Sequence, residues 1–368
     1  MFKNIYKNKR VLITGNTGFK GSWLTIWLLK LGADVLGVSK DVPTKPSIFM
    51  ELDLANKIKY FNEDLRNLDL TKDIIRDTKP DFIFHLAAQP LVVKSYLDPV
   101  DTITSNVIGT TNVLESLRIS NHNCVGVIIT SDKCYDNVEW VWGYKETDAL
   151  GGKDIYSGSK GAAEMIIRSY YHSFFKDENK SNTRIASARA GNVIGGGDWA
   201  DYRIVPDCIK AWSKGKIVEI RSPNATRPWQ HVLEPLSGYL SLGEALYSNK
   251  GLNGQSFNFG PKSENSVSVD ELISKLSKHW YFKDPSRAYK TFEKTEYHEA
   301  KLLKLNCDKA LYYLKWLPTL EFEKLIEFTG EWYYAFYNKH KEGMFDFTIS
   351  QITKYENTAV KKGIKWTL

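Results

Sequence analysis

The feature that most constrains this chain is a glycine-spaced turn between a short apolar run and an apolar helical segment near the N-terminus. The run RVLIT (residues 10–14) has the length and branched side chains of a buried strand, and residues 22–32 have helical length with a closing glycine. Between them, Gly15, Gly18 and Gly21 recur at three-residue steps. Such glycines permit a sharp turn, close approach of the backbone to a pyrophosphate, and close helix–strand packing. The segment predicts a dinucleotide-binding βα unit, and the alternative is a tight turn without a ligand.

Apolar runs and helical patterns continue to alternate over the first half of the chain. The further strand-like runs are ADVLGVS, KIKYFNEDL, PDFIFHLAA, CVGVIITSD and TRIASARAGNVIG. This alternation predicts an α/β fold with a doubly wound parallel (Rossmann) sheet. Later segments are rich in loops, aromatic residues and arginines, with one more strand-like run, SFNFG. We therefore predict a dinucleotide-binding Rossmann domain over residues 1–190, with a return segment near 228–262, and a smaller, loop-rich C-terminal substrate lobe over 191–368.

Composition excludes several classes of protein. The 368 residues carry a net charge of +7, and apart from a lysine-rich start the basic residues are scattered, which disfavours nucleic-acid binding. No apolar run is long enough for a membrane span or a signal peptide, so we expect a cytoplasmic protein without a membrane partner. The four cysteines match no metal-binding spacing, and we expect reduced thiols and no metal site.

Two further strand ends supply candidates for the cofactor site. Asp64, at the end of the third run, is placed to accept a hydrogen bond from an adenine amine, and the small Ala87 and Ala88 after the fourth run leave room for a cofactor. After the second run, Asp41 is placed to hold a ribose 2′-hydroxyl, whereas Lys40 would favour a 2′-phosphate. We favour NAD, with NADP not excluded. The neighbouring candidates are Thr17, Phe19, Leu65 and Gln89.

Two short motifs carry candidate catalytic groups. YSGSK places Tyr156 and Lys160 one helical turn apart, where the ammonium would lower the phenol pKa from about 10 so that the phenol acts as a base towards a hydroxyl. A chance pair on a surface helix is the alternative. TSDK ends a buried strand with Asp132 and Lys133 side by side, an acid and a base for which a solvated turn is the alternative reading.

The combination of TGNTGFKG, HLAAQ, SDKCY and YSGSK resembles the extended short-chain dehydrogenase/reductase family over essentially the whole chain. The resemblance implies an NAD(P)-binding sheet, a C-terminal lobe for a nucleotide-sugar, and a homodimer packed through helices near 101–119 and 156–175. It also implies that Ser131 or Thr130 supplies a hydroxyl that positions the sugar, that Tyr156 and Lys160 also contact the cofactor, and that Asn106 is a structural asparagine.

Within this family, the Asp132–Lys133 pair favours one group of enzymes, the 4,6-dehydratases. Most family members, epimerases included, have only the hydroxyl, tyrosine and lysine, whereas 4,6-dehydratases add an acid–base pair, commonly Asp-Glu. Asp132-Lys133 departs from that pattern and resembles the CDP-glucose 4,6-dehydratase branch, as do RPWQHV, VIGGGDW and PTKPSIF. The implied activity is a lyase that forms a 4-keto-6-deoxy sugar through an internal NAD cycle, for O-antigen or other lipopolysaccharide synthesis.

The resemblance assigns roles within that reaction. Asp132 would protonate the departing 6-hydroxyl, and Lys133 would take the C5 proton or stabilise the enolate electrostatically. The residues implied to hold the substrate diphosphate are Asn192, Arg203 and Arg227. The alternatives are another nucleotide-sugar dehydratase or epimerase, a simple alcohol dehydrogenase, and a non-catalytic NAD(P)-binding regulator.

Overall fold

The computed structural model describes residues 1–220, 222–262, 266–282, 287–291, 302–338 and 342–368. Its strands are β1 (Arg10–Thr14), β2 (Asp34–Val38), β3 (Lys59–Phe61), β4 (Phe82–His85), β5 (Cys124–Ile129), β6 (Thr183–Arg189), β7 (Val193–Ile194), β8 (Val218–Ile220), β9 (Thr226–Arg227), β10 (Gln230–His231), β11 (Ser256–Asn258), β12 (Val267–Ser268) and β13 (Tyr289–Thr291).

The helices are α1 (Phe19–Lys30), α2 (Ile48–Glu51), α3 (Leu68–Thr78), α4 (Val92–Leu97), α5 (Pro99–Ile103), α6 (Gly109–Ser120), α7 (Ile155–Tyr170), α8 (Ile204–Trp212), α9 (Leu233–Ser248), α10 (Val269–Lys278), α11 (Asp308–Leu314), α12 (Phe322–Asn338) and α13 (Met344–Lys361). A 3₁₀ turn over Asp132–Cys134 follows β5, and a π-helical segment over Thr104–Ile108 joins α5 to α6.

A seven-stranded parallel sheet in the order β11–β6–β5–β4–β1–β2–β3 forms the centre of the fold, which confirms the predicted fold class. Every residue of β4 and β5 is buried, as expected for strands covered by helices on both faces. The strand order reverses between β1 and β4, and their carboxyl ends meet at Thr14 and His85. In open α/β sheets this switch point is where ligands bind.

The third strand is shorter than predicted. β3 ends at Phe61, the partner of Val38, because β2 ends there and offers no further backbone to pair with. Asp64 therefore lies in the turn after the strand rather than at its last residue.

The later part of the chain forms small two-stranded pairs, β7–β10, β9–β12 and β8–β13, beside helices α8, α10 and α12. It also returns to the large sheet, because β11 pairs with β6 and α9 packs on β5 and β6. Helix α13 packs on α1, where the Trp27 indole donates to Glu356 over 2.9 Å. One apolar cluster includes residues of the large sheet and of helices α1, α8, α9, α10, α12 and α13. The division at residue 190 stays a prediction.

Candidate active site

The glycine turn places the start of α1 against the end of β4. Gly15 has a φ of +73°, and a Cβ there would lie 2.7 Å from the Ala87 amide nitrogen. A Cβ at Gly21 would lie 2.1 Å from the Gly15 carbonyl oxygen. Gly18 begins α1 without a side-chain cap, so the helix N-terminus can meet an anion with its own amides. Only glycine fits at positions 15 and 21, and the turn that results has space for a pyrophosphate.

The end of β2 lies beside this turn. The Thr17 hydroxyl donates to the Asp41 carbonyl over 2.7 Å, which fixes the loop while leaving the Asp41 carboxylate exposed. The Lys40 ammonium lies 3.6 Å from the Asp101 carboxylate. Phe19 is half-buried at the first position of α1. Lys40 therefore has a carboxylate partner within the protein, which weakens the case for a 2′-phosphate.

The Asp64 carboxylate is engaged by a neighbour that sequence reasoning missed. The Arg66 Nη2 atom lies 2.6 Å from Asp64 Oδ2, and hydrogen bonding from Arg66 holds the Asp64 pKa below its usual value. Leu65 between them is buried, and its carbonyl accepts from the Asn112 amide over 2.8 Å. Asp64 is thus part of an ion pair in the turn after β3.

A buried asparagine connects the β4 turn to the helix of the YSGSK motif. Asn106 Oδ1 accepts from the Gln89 amide over 2.8 Å, and its Nδ2 donates to the Ser159 hydroxyl over 2.9 Å. Ser159 in turn donates to the Tyr156 carbonyl over 2.7 Å. The half-buried Ala88 precedes Gln89. The chain of bonds fixes the distance between the cofactor turn and α7.

The structure distinguishes the two candidate hydroxyls after β5. Thr130 donates a short hydrogen bond to the buried Glu164 carboxylate, so its hydroxyl is already engaged within the protein. Ser131 caps the following 3₁₀ turn, accepts from the Lys133 amide over 3.2 Å and donates to Asp132 Oδ1 over 2.9 Å. Ser131 is therefore the hydroxyl that belongs to the candidate site.

Asp132 is buried and held on both sides. The Asn192 side-chain amide donates to its second oxygen over 3.4 Å, and a Cβ at Gly191 would lie 2.0 Å from that oxygen. The carboxylate thus occupies space that only a glycine at 191 leaves open. Lys133, the next residue, is half-buried.

Tyr156 and Lys160 lie on α7, one turn apart and both buried. Burial raises the pKa of Tyr156 to about 12, while a side-chain interaction with Ser131 and the positive charge of Arg203 lower it and the charge of Asp132 raises it. Burial lowers the pKa of Lys160 to about 8. We expected Lys160 to be the cation that lowers the Tyr156 pKa, but Arg203 is the principal one.

Sequence reasoning missed two residues at this centre, Lys20 and Asp198. Burial and the nearby Arg203 charge lower the Lys20 pKa to about 8, and Asp132 and Asp198 oppose that shift. The Arg203 guanidinium lies 2.8 Å from the Asp198 carboxylate. A lysine inside the glycine turn, where the N-terminal helix packs on the sheet, was the available signal for Lys20.

The two other arginines lie elsewhere. Arg227 is half-buried on β9 and donates to the Thr226 carbonyl over 2.9 Å. The Gln230 amide, three residues later, donates to the Asn192 carbonyl over 3.1 Å, so this segment runs alongside Asn192. Arg189, at the end of β6, is buried in an ion pair with Glu164 at 2.7 Å and is therefore not available to a phosphate.

Sequence comparisons show that the chain is similar to 4,6-dehydratases and epimerases that act on nucleotide-sugars. The sequence model of the family described as GDP-mannose 4,6 dehydratase matches residues 12–329. CDP-glucose 4,6-dehydratase of Salmonella typhimurium is 42% identical over 335 residues, which cover 90% of this chain and 92% of that protein. CDP-paratose 2-epimerase of Salmonella typhi is 28% identical, over 73% of this chain and 83% of that protein.

Solved structures share the fold. A dTDP-glucose 4,6-dehydratase of Bacillus anthracis in complex with NAD has a TM-score of 0.73 at 19% identity, covering 92% of this chain and 99% of that one. A dTDP-glucose 4,6-dehydratase of Streptomyces venezuelae with NAD bound has a TM-score of 0.74 at 20% identity, covering 89% and 97%. Among the described helices, none has the length and apolar character that crossing a bilayer requires.

Proposed function

The chain belongs to the GDP-mannose 4,6 dehydratase family within the extended short-chain dehydrogenases/reductases, and we propose that it is a CDP-glucose 4,6-dehydratase, a lyase that converts CDP-glucose to CDP-4-keto-6-deoxyglucose and water. The observation that carries the proposal is the placement of Asp132. Its buried carboxylate lies beside Ser131 and close enough to Tyr156 to act on the phenol's pKa. An acid for dehydration and a base for oxidation therefore meet in one site.

The cofactor is NAD, held at the switch point of the sheet. Gly15 and Gly21 have no room for side chains, and Gly18 begins α1 so that the helix N-terminus is presented to the cleft of the turn, which fits a pyrophosphate. Asp41 is exposed where it can accept from a ribose hydroxyl, and the remaining cradle residues are Thr17, Phe19, Asp64, Leu65, Ala87, Ala88, Gln89 and Asn106. When bound, NAD supplies the oxidation at C4 of the sugar and the later reduction at C6.

Tyr156 takes the proton of the sugar 4-hydroxyl. The phenol pKa is about 12 even though the positive charge of Arg203 and the Ser131 interaction lower it, so the phenol of the ligand-free protein is protonated at neutral pH and a further positive charge, such as that of bound NAD⁺, is needed to favour the phenolate. Lys160, one turn along α7, is placed to hold the cofactor beside Tyr156. Ser131 orients the hydroxyl that reacts.

Dehydration uses the pair after β5. The 4-keto group acidifies the C5 hydrogen, Lys133 removes that proton, and Asp132 protonates the 6-hydroxyl as it leaves. Burial of Asp132 keeps the carboxyl out of bulk water. If Lys133 instead stabilises the enolate and Asp132 handles both protons, Lys133→Ala slows dehydration but leaves exchange of the C5 hydrogen with solvent intact. Loss of that exchange is the result expected for a base.

The nucleotide diphosphate lies between the sheet and residues 191–368, which form the nucleotide-sugar lobe apart from the return segment near 228–262. Asn192 precedes β7 and accepts from the Gln230 amide of β10, Arg227 lies three residues before Gln230 on β9, and the charge of Arg203 acts on Tyr156. Guanidinium groups bind phosphate through paired hydrogen bonds. Arg203 therefore either binds the phosphate nearest the sugar or only lowers the pKa of Tyr156.

We place the enzyme in the cytoplasm, as a homodimer, in the synthesis of a surface polysaccharide such as O-antigen. The four cysteines are unpaired thiols, consistent with a reducing compartment. Support for the dimer comes from helices α4, α5 and α7, which expose Tyr96, Leu97, Val100 and Met165, each more than half accessible.

The test is to supply NAD⁺ and each of CDP-, UDP-, dTDP- and GDP-glucose to the pure protein. A 4-keto-6-deoxy product from CDP-glucose, without net NADH, is expected. A product from another nucleotide alone would place the chain with a different 4,6-dehydratase. Net NADH would indicate a plain dehydrogenase, inversion at C4 without a keto product would indicate an epimerase, and binding of NAD without turnover would indicate a regulator.

A further inference from the structure

The end of β2 runs beside the glycine turn, where the proposed cofactor site places the ribose attached to adenine. The Thr17 amide donates to the Ser39 hydroxyl over 3.4 Å, and the Thr17 hydroxyl donates to the Asp41 carbonyl over 2.7 Å. Lys40 lies between these two contacts along the chain. In dinucleotide-binding sheets an acidic side chain at this place holds the ribose 2′-hydroxyl of NAD, and a nearby cation accommodates the 2′-phosphate of NADP. Because the chain has both kinds of side chain here, the partners of the cation decide which nucleotide is favoured.

Three cations from different segments converge on one carboxylate, that of Asp101 on α5. The Arg66 Nη1 atom, in the turn after β3, lies 2.8 Å from Asp101 Oδ1, and the Lys40 ammonium lies 3.6 Å from the same oxygen. The Lys94 ammonium, on α4, lies 3.6 Å from Asp101 Oδ2. The end of β2, the turn after β3 and helix α4 therefore all direct a positive charge at Asp101.

The three cations are more accessible than the carboxylate that they share. The Lys40, Arg66 and Lys94 side chains are 36%, 34% and 49% exposed, whereas the Asp101 side chain is 17% exposed. Burial raises the Asp101 pKa, but the charges of the three cations outweigh burial and hold this pKa below its usual value, so the carboxyl is ionised at neutral pH. A phosphate that approaches from solvent can therefore reach the cations, but it must compete with Asp101 for them.

A second carboxylate engages Arg66 but not the two lysines. Arg66 Nε lies 2.9 Å and Arg66 Nη2 lies 2.6 Å from Asp64 Oδ2, so the guanidinium has one carboxylate on each side. Among the residues that the structure describes, Lys40 and Lys94 form ion pairs with Asp101 alone. Loss of the Asp101 charge would therefore release the two ammonium groups, while Arg66 would keep Asp64.

We propose that Asp101 makes the site selective for NAD over NADP, because it occupies cations at the end of β2 that would otherwise bind a 2′-phosphate. The inference rests on the proposed cofactor site. Asp101 acts through Lys40 and need not touch either nucleotide, so it is a positioning residue. NAD has a hydroxyl in place of the 2′-phosphate and does not need these charges. Selectivity is a difference between two affinities, so removing an attraction for one nucleotide is as effective as adding a contact to the other.

The experiment measures the dissociation constants of NAD⁺ and NADP⁺ for the full chain by isothermal titration calorimetry. Asp101→Asn keeps the shape of the side chain and removes its charge. We expect NADP⁺ binding to tighten by on the order of 10-fold, the scale of one hydrogen bond between charged groups, and NAD⁺ binding to change by less than about twofold. Asp69→Asn is the matched control, because it changes the net charge equally on α3, where Asp69 is 89% exposed and pairs with Lys72. It should leave both dissociation constants unchanged.

Lys40→Met tests the same idea without altering Asp101, and it also serves if Asp101→Asn does not fold. In the wild-type background Lys40 is already engaged by Asp101, so Lys40→Met should leave NADP⁺ binding unchanged within about twofold. In the Asp101→Asn background the same change should remove most of the gain in NADP⁺ affinity, because the two residues act through one contact.

Three results would overturn the inference. An unchanged ratio of the two dissociation constants in Asp101→Asn would show that Asp101 only supports the local structure. An equal gain for NADP⁺ in Asp69→Asn would show that net charge rather than this cluster attracts the phosphate. Weaker NADP⁺ binding in Lys40→Met alone would show that Lys40 reaches the 2′-phosphate in spite of Asp101. A wild-type protein that binds neither nucleotide would instead contradict the proposed cofactor site, so the two failures are distinguishable.

Discussion

Asp132 shows how closely single residues define this site. Its carboxylate fills the space where a side chain at Gly191 would lie, so the segment that follows β6 and the turn after β5 fit together only with glycine at that position. The proposed acid is therefore positioned by a residue without a functional group. Such a contact can be tested without touching any group that transfers a proton.

Gly191→Ala should displace the Asp132 carboxylate, since the new Cβ would lie 2.0 Å from Oδ2. Loss of a positioned general acid costs about 10²–10⁴-fold in rate, and we expect kcat for keto-sugar formation to fall within that range. Gly109→Ala is the matched control, because the nearest atom to its Cβ lies 4.0 Å away. Equal activity in both variants would contradict the positioning of Asp132.

Lys160→Met should stabilise the ligand-free protein while abolishing activity. Burial lowers the Lys160 pKa from 10.5 to about 8, so the unfolded chain binds more protons between those pH values and the lysine destabilises the fold below pH 8. At about 1.4 kcal/mol per pKa unit, the variant should gain up to about 3 kcal/mol at pH 7. The gain should shrink as pH rises towards 10.5. Urea denaturation at pH 7 and pH 10, with the exposed Lys214→Met as control, would measure it; a loss of stability at pH 7 would contradict the burial argument.

Sequence patterns predicted Tyr156, Lys160 and the Asp132–Lys133 pair, because the motifs fix their spacing along a helix or at a strand end. They could not choose between Thr130 and Ser131, since the choice depends on Glu164, 34 residues away, accepting from Thr130. Nor could they place Arg203 beside Tyr156, because the rest of α7, strands β6 and β7 and the loop after them separate the two. The sequence did not reveal contacts between segments that are far apart along the chain.

At the level of elements, α7 joins the site to the core. Tyr156, Lys160 and Glu164 follow one another at four-residue steps on its buried face. Glu164 binds Arg189 of β6 at 2.7 Å and accepts from the Ser187 hydroxyl over 2.9 Å. The ion pair therefore fixes the helix that carries Tyr156, the proposed base, against the strand that leads to Asn192.

Glu164→Gln should destabilise the protein by about 3–5 kcal/mol, because it leaves the buried Arg189 charge without a partner. Glu115→Gln is the control: its pair with Arg118 is partly exposed, and its loss should cost less than about 1 kcal/mol. Chemical denaturation of both variants gives the comparison. Similar small losses would show that the buried pair does not hold α7.

The strands of the sheet centre were predictable because their residues are buried on both faces and read as continuous apolar runs. The edge strand β3 was predicted too long, since its end is set by the length of its neighbour β2 rather than by its own residues. The two-residue strands β7, β9, β10 and β12 left no pattern long enough to detect.

For the whole molecule, the exposed apolar side chains of α4, α5 and α7 predict the assembly. Leu97→Glu should convert the proposed dimer to a monomer, since it places a charge where Leu97 is 76% exposed in the single chain. Tyr312→Glu, at a residue 69% exposed on α11, is the control. Sedimentation equilibrium should report twice the 42.1 kDa chain mass for the wild type and the control. A monomeric wild type would contradict the dimer.

The central claim is that oxidation at C4 and reduction at C6 occur on one sugar within one closed site. The most direct measurement uses CDP-glucose carrying deuterium at C4, converted by the protein with NAD⁺ and analysed by NMR. We predict a CDP-4-keto-6-deoxyglucose in which the deuterium has moved to C6, with no deuterated NADH left in solution. Deuterium retained at C4, or found in free NADH, would contradict the internal cycle.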